Sequence, residues 1–272
     1  MLRVSGKRLQ AVLIATLCCA MAQPGLGQGT AKDDSATWNE FAEWVKSAAP
    51  PPGAERMMLR VRYVEHLIST GVPREEAARR FSLIDAYRRG SIERERIYWD
   101  GVFKFRGGPN TPLRLLQESV RDVKPGSALD IAMGGGRNAV YLASLGWKVT
   151  GYDMSREAIA AARQAAESAK VNIEAVEATH ESFEFGESRW DLAVISYSYV
   201  NPADSAWSTR LYRALKPGGM VVIQETMPAS VAPADLLANW KAFRVLRYEQ
   251  PETSSDDWLP NQPYLRIVLR KP

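Results

Sequence analysis

Two hydrophobic rhythms divide the chain near residue 110. Upstream, apolar residues return at helical spacing. Trp38, Phe41, Trp44 and Val45 predict a helix over 38–48 that ends before the Ala49-Pro-Pro-Pro-Gly53 break. A second helix is expected over 55–70, stopped by Gly71. A third begins at Pro73, whose fixed φ suits a first helical turn, continues through Glu75 and Glu76, and runs to about Arg89 before Gly90. With 91–99 also expected helical, residues 37–110 read as an all-helical extension, a lid on whatever follows. From Pro125-Gly126 onward, short apolar runs alternate with amphipathic stretches. Strands are expected at 127–132, 148–152, 172–177, 191–196 and 220–224, with helices at 137–145, at 156–168 and through Leu215. Lys216-Pro-Gly-Gly219 reads as a turn; after a helix at 233–240, strands at 243–248 and 264–269 close the domain. Such alternation predicts an α/β domain over 111–272, with a seven-stranded, mostly parallel sheet and helices on both faces.

The first residues follow another logic. Arg3, Lys7 and Arg8 precede an apolar run over 9–22, and Pro24 and Gly25 follow it. This is the layout of a secretory signal peptide over 1–22, with a small-x-small cleavage option at Ala20-Met21-Ala22 and room for cleavage as late as 27. The run is shorter than the roughly 20 residues of a membrane-spanning helix, so no stable span is expected after cleavage. Export to a periplasmic or external space is expected if the segment is used, and a cytoplasmic location otherwise. Residues 28–36, small and polar, read as a disordered leader.

Composition narrows the chemistry. With 272 residues, 46% of them hydrophobic, the chain can build one substantial core and a small appendage, and a formal charge of +4 requires no acidic partner. Both cysteines, Cys18 and Cys19, lie in the signal segment, so the mature chain would have no disulfide, thiolate metal site or cysteine nucleophile. His66 and His180 are the two histidines, too few for a zinc centre built on several His or Cys ligands, and no metal site is expected. Arg74, Arg79, Arg80, Arg88, Arg89, Arg94 and Arg96 alternate with acids at helical spacing and read as a solvated face, not a nucleic-acid surface.

The chemistry concentrates after the first strand. Ala128-Leu-Asp-Ile-Ala-Met-Gly-Gly-Gly-Arg-Asn-Ala-Val-Tyr141 joins an apolar strand carrying Asp130 to a glycine turn and a helix, and the second strand ends in Asp153. Glycines admit a ligand close to the backbone, the helix N-terminus offers unpaired N–H groups, and a terminal acid can accept from both hydroxyls of a ribose. A Rossmann-like site for an adenosine cofactor is expected. Gly134-x-Gly136-x-x-Ala139 also satisfies the NAD pattern. Against an NAD-dependent reductase stand the acid inside the first strand, the Leu215-Lys-Pro-Gly-Gly219 turn before a buried strand, and the closing strand pair where a substrate domain would follow.

With these motifs in order, the chain from about Pro109 to Pro272 resembles the class I S-adenosylmethionine-dependent methyltransferases. Asp130-x-Ala132-x-Gly134-x-Gly136, Asp153, Trp190-Asp191 and the Leu-Lys-Pro-Gly-Gly turn carry the likeness. The Gly-Arg-Asn run and the Leu-Gly-x-x-Val-Thr-x-x-Asp spacing are similar to the tellurite-resistance and thiopurine-type branch. The resemblance implies S-adenosylmethionine as cofactor, held by Asp130, Ala132, Gly134, Gly136, Asn138, Asp153, Met154, Thr179, His180 and Ser196. Ala132 replaces the family's first glycine, and Thr179 stands where a strand-three acid would meet the adenine amine. Tyr98, Trp99, Phe103, Tyr197 and Tyr199 are expected around a small-molecule acceptor, and His180 and Tyr197 are the only candidates for a catalytic base. The implied reaction is methyl transfer to a thiol, a chalcogen oxyanion or an amine. A catalytically silent cofactor- or nucleoside-binding module is the competing expectation.

Overall fold

A computed structural model describes residues 31–50, 58–198, 200, 204–226, 237–251, 258 and 263–272. The expected signal segment, Tyr199 and the first half of the expected 233–240 helix (233–236) lie outside the described residues. Four helices form the extension: α1 (Ala31–Ser47), α2 (Leu59–Ser69), α3 (Arg74–Arg88) and α4 (Ile92–Phe105). They bury Phe41, Tyr63, Leu67, Phe81, Ile84 and Phe105 in a core of their own. The expected leader is corrected here, because residues 31–36 belong to α1. Once Trp38 and Phe41 pin the helix to this core, each further residue adds a hydrogen bond without a new nucleation cost.

The second unit comprises α5 (Arg114–Val120), β1 (Ser127–Ile131), α6 (Arg137–Ser144), β2 (Lys148–Asp153), α7 (Arg156–Ser168), β3 (Ile173–Glu177), β4 (Trp190–Ser196), α8 (Ser205–Ala214), β5 (Leu215–Thr226), β6 (Arg244–Glu249) and β7 (Tyr264–Arg270). The strands form one sheet in the order β3-β2-β1-β4-β5-β7-β6, parallel except for β7. Alternate residues feed opposite cores, as a pleated strand requires. Leu129, Ile131, Ile195 and Ile223 pack with Phe183, Leu211 and Trp240 on one face, while Ala128, Val194 and Val222 pack with Leu116, Leu142 and Ile159 on the other. Asp130 shares the second face with Ala128. Two expectations change. Helix α5 had no counterpart in the sequence reading, and the 216–219 turn is part of β5, because Gly218 N–H donates to Lys271 O and Lys271 N–H to Gly219 O.

Helix α4 joins the two units by lying across the carboxyl ends of three neighbouring strands. Arg96 pairs with Glu177 at the end of β3. Asp100 Oδ1 accepts from Ser155 Oγ at 2.8 Å and from Glu157 N–H at 3.4 Å, at the start of the helix after β2. Phe103 covers Gly134 beyond β1, and Arg106 reaches Trp258. Ligands of open α/β sheets bind at this end, so the extension roofs the place where a site is expected.

Candidate functional site

Under α4 lies a cavity of about 560 Å³, lined from the ends of β1, β2, β3 and β4 and from the extension. Its floor is the glycine turn. Gly136 N–H donates to Met133 O at 3.0 Å, closing the bend, with φ of 56° at Gly134 and 80° at Gly136. A Cβ on Gly136 would sit 2.9 Å from the Ala162 Cβ and 3.2 Å from its Cα, so only glycine lets α6 approach α7 here. On Gly134 a Cβ would come within 3.0 Å of the Phe103 ring. Ala132 has φ of 50°, the backbone conformation of the glycine it replaces. The methyl is therefore accommodated by strain of about 1–2 kcal/mol rather than by a changed turn.

Two acids face this turn. Asp130 is buried at 1% exposure, and among the described residues neither carboxylate oxygen has a hydrogen bond of good geometry, the Ala139 N–H being a weak partner at most. Burial pushes its carboxyl from 3.8 up to about 7, against the opposing charge of Arg137. A carboxylate left this way is costly unless a cation or donor arrives. Asp153 Oδ2 accepts from Gly134 N–H and its Oδ1 from Ser155 N–H, both at 2.9 Å. Burial raises it to about 6, and those two N–H bonds oppose the rise. Each oxygen retains lone-pair capacity, so the acid that fixes the glycine turn can also meet a diol.

Other expected residues line the cavity with their polar atoms already committed. Asn138 Oδ1 accepts from Leu113 N–H, and Ser196 Oγ accepts from Arg137 at 3.3 Å. Met154 is in the lining, and its backbone N–H bears on the Asp153 carboxyl. Thr179 Oγ1 accepts from the N–H groups of Glu181 and Ser182, while its own N–H donates to Ser182 Oγ. Thr179 thus lines the cavity with its side chain engaged in this local turn. His180 also lines the cavity, with both ring nitrogens engaged. Its Nε2 lies 3.1 Å from Ser198 O, which can only accept, so Nε2 carries the hydrogen and Nδ1 accepts from Tyr152 OH at 2.8 Å. Burial lowers its pKa, and the neutral ring packs edge-on against Trp207. Both nitrogens of this would-be base are structural.

Tyr197 follows β4 with φ of 52°, a strained value for a bulky residue that aims its ring into the cavity. Gln224 Nε2 donates to its hydroxyl at 2.6 Å, while Arg266 Nε donates to Gln224 Oε1 at 3.0 Å and so fixes which way the amide points. Beyond it, Glu225 Oε1 accepts from both N–H and Oγ of Ser198 at 2.6 Å, and burial raises this acid to about 7. Trp99 and Phe103 line the cavity from α4, and Trp258 stacks on Phe103 with ring centroids 6.3 Å apart. Tyr98, expected beside them, instead packs among Phe41, Phe81 and Arg88 in the extension core. One helical step turns it away from the face that Glu95, Trp99 and Phe103 share at i, i+4 and i+8.

Met133, Glu95, Arg88, Arg89, Arg137 and Trp258 enter the lining without having been anticipated. Arg137 directly follows the glycine turn at the first position of α6, a placement that could have marked it. Nothing local marks Glu95 or Trp258.

Residues 128–219 match a family model described as a methyltransferase domain. The chain is 37% identical over 101 residues to the demethylmenaquinone methyltransferase of Chlorobaculum tepidum, covering 36% of this chain and 40% of that protein. It is 33% identical over 107 residues to the enzyme of that name from Thermus thermophilus, covering 38% and 49%. The match thus spans less than half the length of these curated relatives. The structure of TehB from Haemophilus influenzae superposes with a TM-score of 0.50 at 18% identity, over 65% of this chain and 67% of that one, a likeness of fold. The family match covers β1 to the start of β5, the segment that carries the glycine turn and both cavity acids.

Proposed function

We propose that the protein binds S-adenosylmethionine in the cavity under α4 and transfers its methyl group to a small nucleophilic acceptor. One observation carries this reading: Asp130 is a fully buried carboxylate with no hydrogen bond of good geometry to either oxygen among the described residues, on the wall of a cavity large enough for a nucleoside. A ligand bringing a cationic nitrogen would satisfy it. The other residues fit the same group. Asp153 has acceptor capacity for a ribose diol, and Gly134 and Gly135 of the turn line the same cavity. Ala132 adopts a positive φ of 50°, a conformation that favours glycine, so the turn forms despite its methyl group, which weighs against the silent-module reading.

Bound there, the cofactor supplies a methyl already activated by its sulfonium, so the chain need only align donor and acceptor and exclude water. Trp99, Phe103, Tyr197 and Trp258 form that dry wall. With both His180 nitrogens occupied, no histidine base serves the reaction, which favours an acceptor that is nucleophilic without enzymic deprotonation. Within this reading we place the chain nearest the tellurite-resistance and thiopurine-type branch, on its Gly136-Arg137-Asn138 run. The demethylmenaquinone relatives make a ring-bearing acceptor the alternative to a thiol, chalcogen oxyanion or amine. Export through 1–22 belongs to the same proposal and is checked by fractionating cells that carry a C-terminal tag.

Calorimetry with S-adenosylhomocysteine tests the site. Wild type should bind it, and Asp130→Asn should weaken binding at least about tenfold, the loss of one charge-assisted hydrogen bond. Radiolabelled methyl transfer across an acceptor panel then tests turnover. Absence of binding by wild type would end the proposal.

A further inference from the structure

The adenine end of the cavity lacks the acid that the family's pattern places after the third strand. Thr179 spends its side chain on its own turn, and His180 is held between Tyr152 and Ser198. A carboxylate nevertheless lines the same cavity from above. Glu95 of α4 shares the lining with Met154, Ala178 and Thr179, from beyond β2 and β3. Its position is fixed on both sides in sequence. The next residue, Arg96, pairs with Glu177, the last residue of β3. Asp100, five residues on, caps the start of α7 beyond β2. Glu95 is also held from behind, because Arg88 donates to its Oε2 while stacking on Tyr98 with its guanidinium 4.1 Å from the ring centroid. A carboxylate has about four lone-pair sites, so one anchored by a single arginine retains acceptor capacity.

We propose that Glu95, a residue of the N-terminal extension, supplies the hydrogen-bond acceptor for the adenine amine of the cofactor in place of a strand-three acid, an inference that rests on the S-adenosylmethionine reading above. The extension is then part of the cofactor site, not only a cover for the acceptor. Arg88, buried beneath Tyr98, acts as a positioning residue for Glu95.

The test compares two ligands that differ at one exocyclic group. S-Adenosylhomocysteine carries the 6-amino donor, and S-inosylhomocysteine carries a carbonyl acceptor in its place. By calorimetry on the full chain, wild type should prefer the adenosyl compound by about 10- to 100-fold, the span of one charge-assisted hydrogen bond. Glu95→Gln should collapse or reverse that preference, since Arg88 can keep the amide oxygen and leave the NH₂ donor facing the base. Glu95→Ala should abolish the preference without reversing it. The ratio of the two affinities is insensitive to a general loss of folded protein, which lowers both alike. Equal affinities in wild type, or an unchanged ratio in Glu95→Gln, overturn the assignment of Glu95 while leaving the cofactor reading intact. Binding of neither ligand by wild type overturns the cofactor reading itself.

Discussion

Replacing Asp130 by asparagine should stabilise the ligand-free protein at alkaline pH while weakening its hold on the cofactor. Burial raises this carboxyl from 3.8 to about 7. An acid whose folded-state pKa is raised contributes stability that is fully present below about pH 3.8 and lost as pH climbs through about 7. At about 1.4 kcal/mol for each pH unit, the interval corresponds to roughly 4 kcal/mol. Asp153 and Glu225, raised to about 6 and about 7, titrate in the same window in both proteins and largely cancel in the comparison. The residue is the repulsion between Asp130 and Asp153, which asparagine also relieves. Urea unfolding at pH 5 and pH 8.5 measures the effect. At pH 5 the variant should already be the more stable by roughly 1–2 kcal/mol, because the loss starts at about pH 3.8, and at pH 8.5 by roughly 4 kcal/mol. Adding S-adenosylhomocysteine at a hundred times its dissociation constant should stabilise wild type by about 2.7 kcal/mol and the variant by far less. A gap of equal size at both pH values, or a variant less stable at pH 8.5, would show that Asp130 is not an unpaired buried charge.

Ala132→Gly should relieve the φ of 50°, netting about 0.5–1 kcal/mol after the extra entropy of glycine, measurable as a melting temperature a few degrees higher. Gly136→Ala must place a methyl 2.9 Å from the Ala162 Cβ at φ of 80°; a loss of at least about 2 kcal/mol in urea unfolding is expected. His180→Phe leaves the Tyr152 hydroxyl and Ser198 carbonyl without their partner and should cost about 1–3 kcal/mol of stability. Because burial lowers the pKa of His180, any His180 titration in the wild-type rate profile should fall below pH 6.5.

Local pattern determined most of the second unit. The spans of β1, α6, β2 and α7 follow from apolar period, from Ser155 as a cap accepting from Ala158 N–H, and from glycines at positions that demand positive φ. Asp130 and Asp153 were legible for the same reason, since each is fixed by its own strand. Other features needed the folded chain. The tautomer of His180 is set by Tyr152 and Ser198, 28 and 18 residues away, and no spacing rule connects them. Whether Tyr98 or Trp99 faced the cavity depended on the rotation of α4, which Arg96, Asp100 and Phe103 fix through contacts with three different strand ends. Glu95 looked like one more charge on a solvated face because its pattern records only helical spacing. Sequence periodicity says which side of a helix is buried, but only the packing of one unit on another decides what that side is buried against.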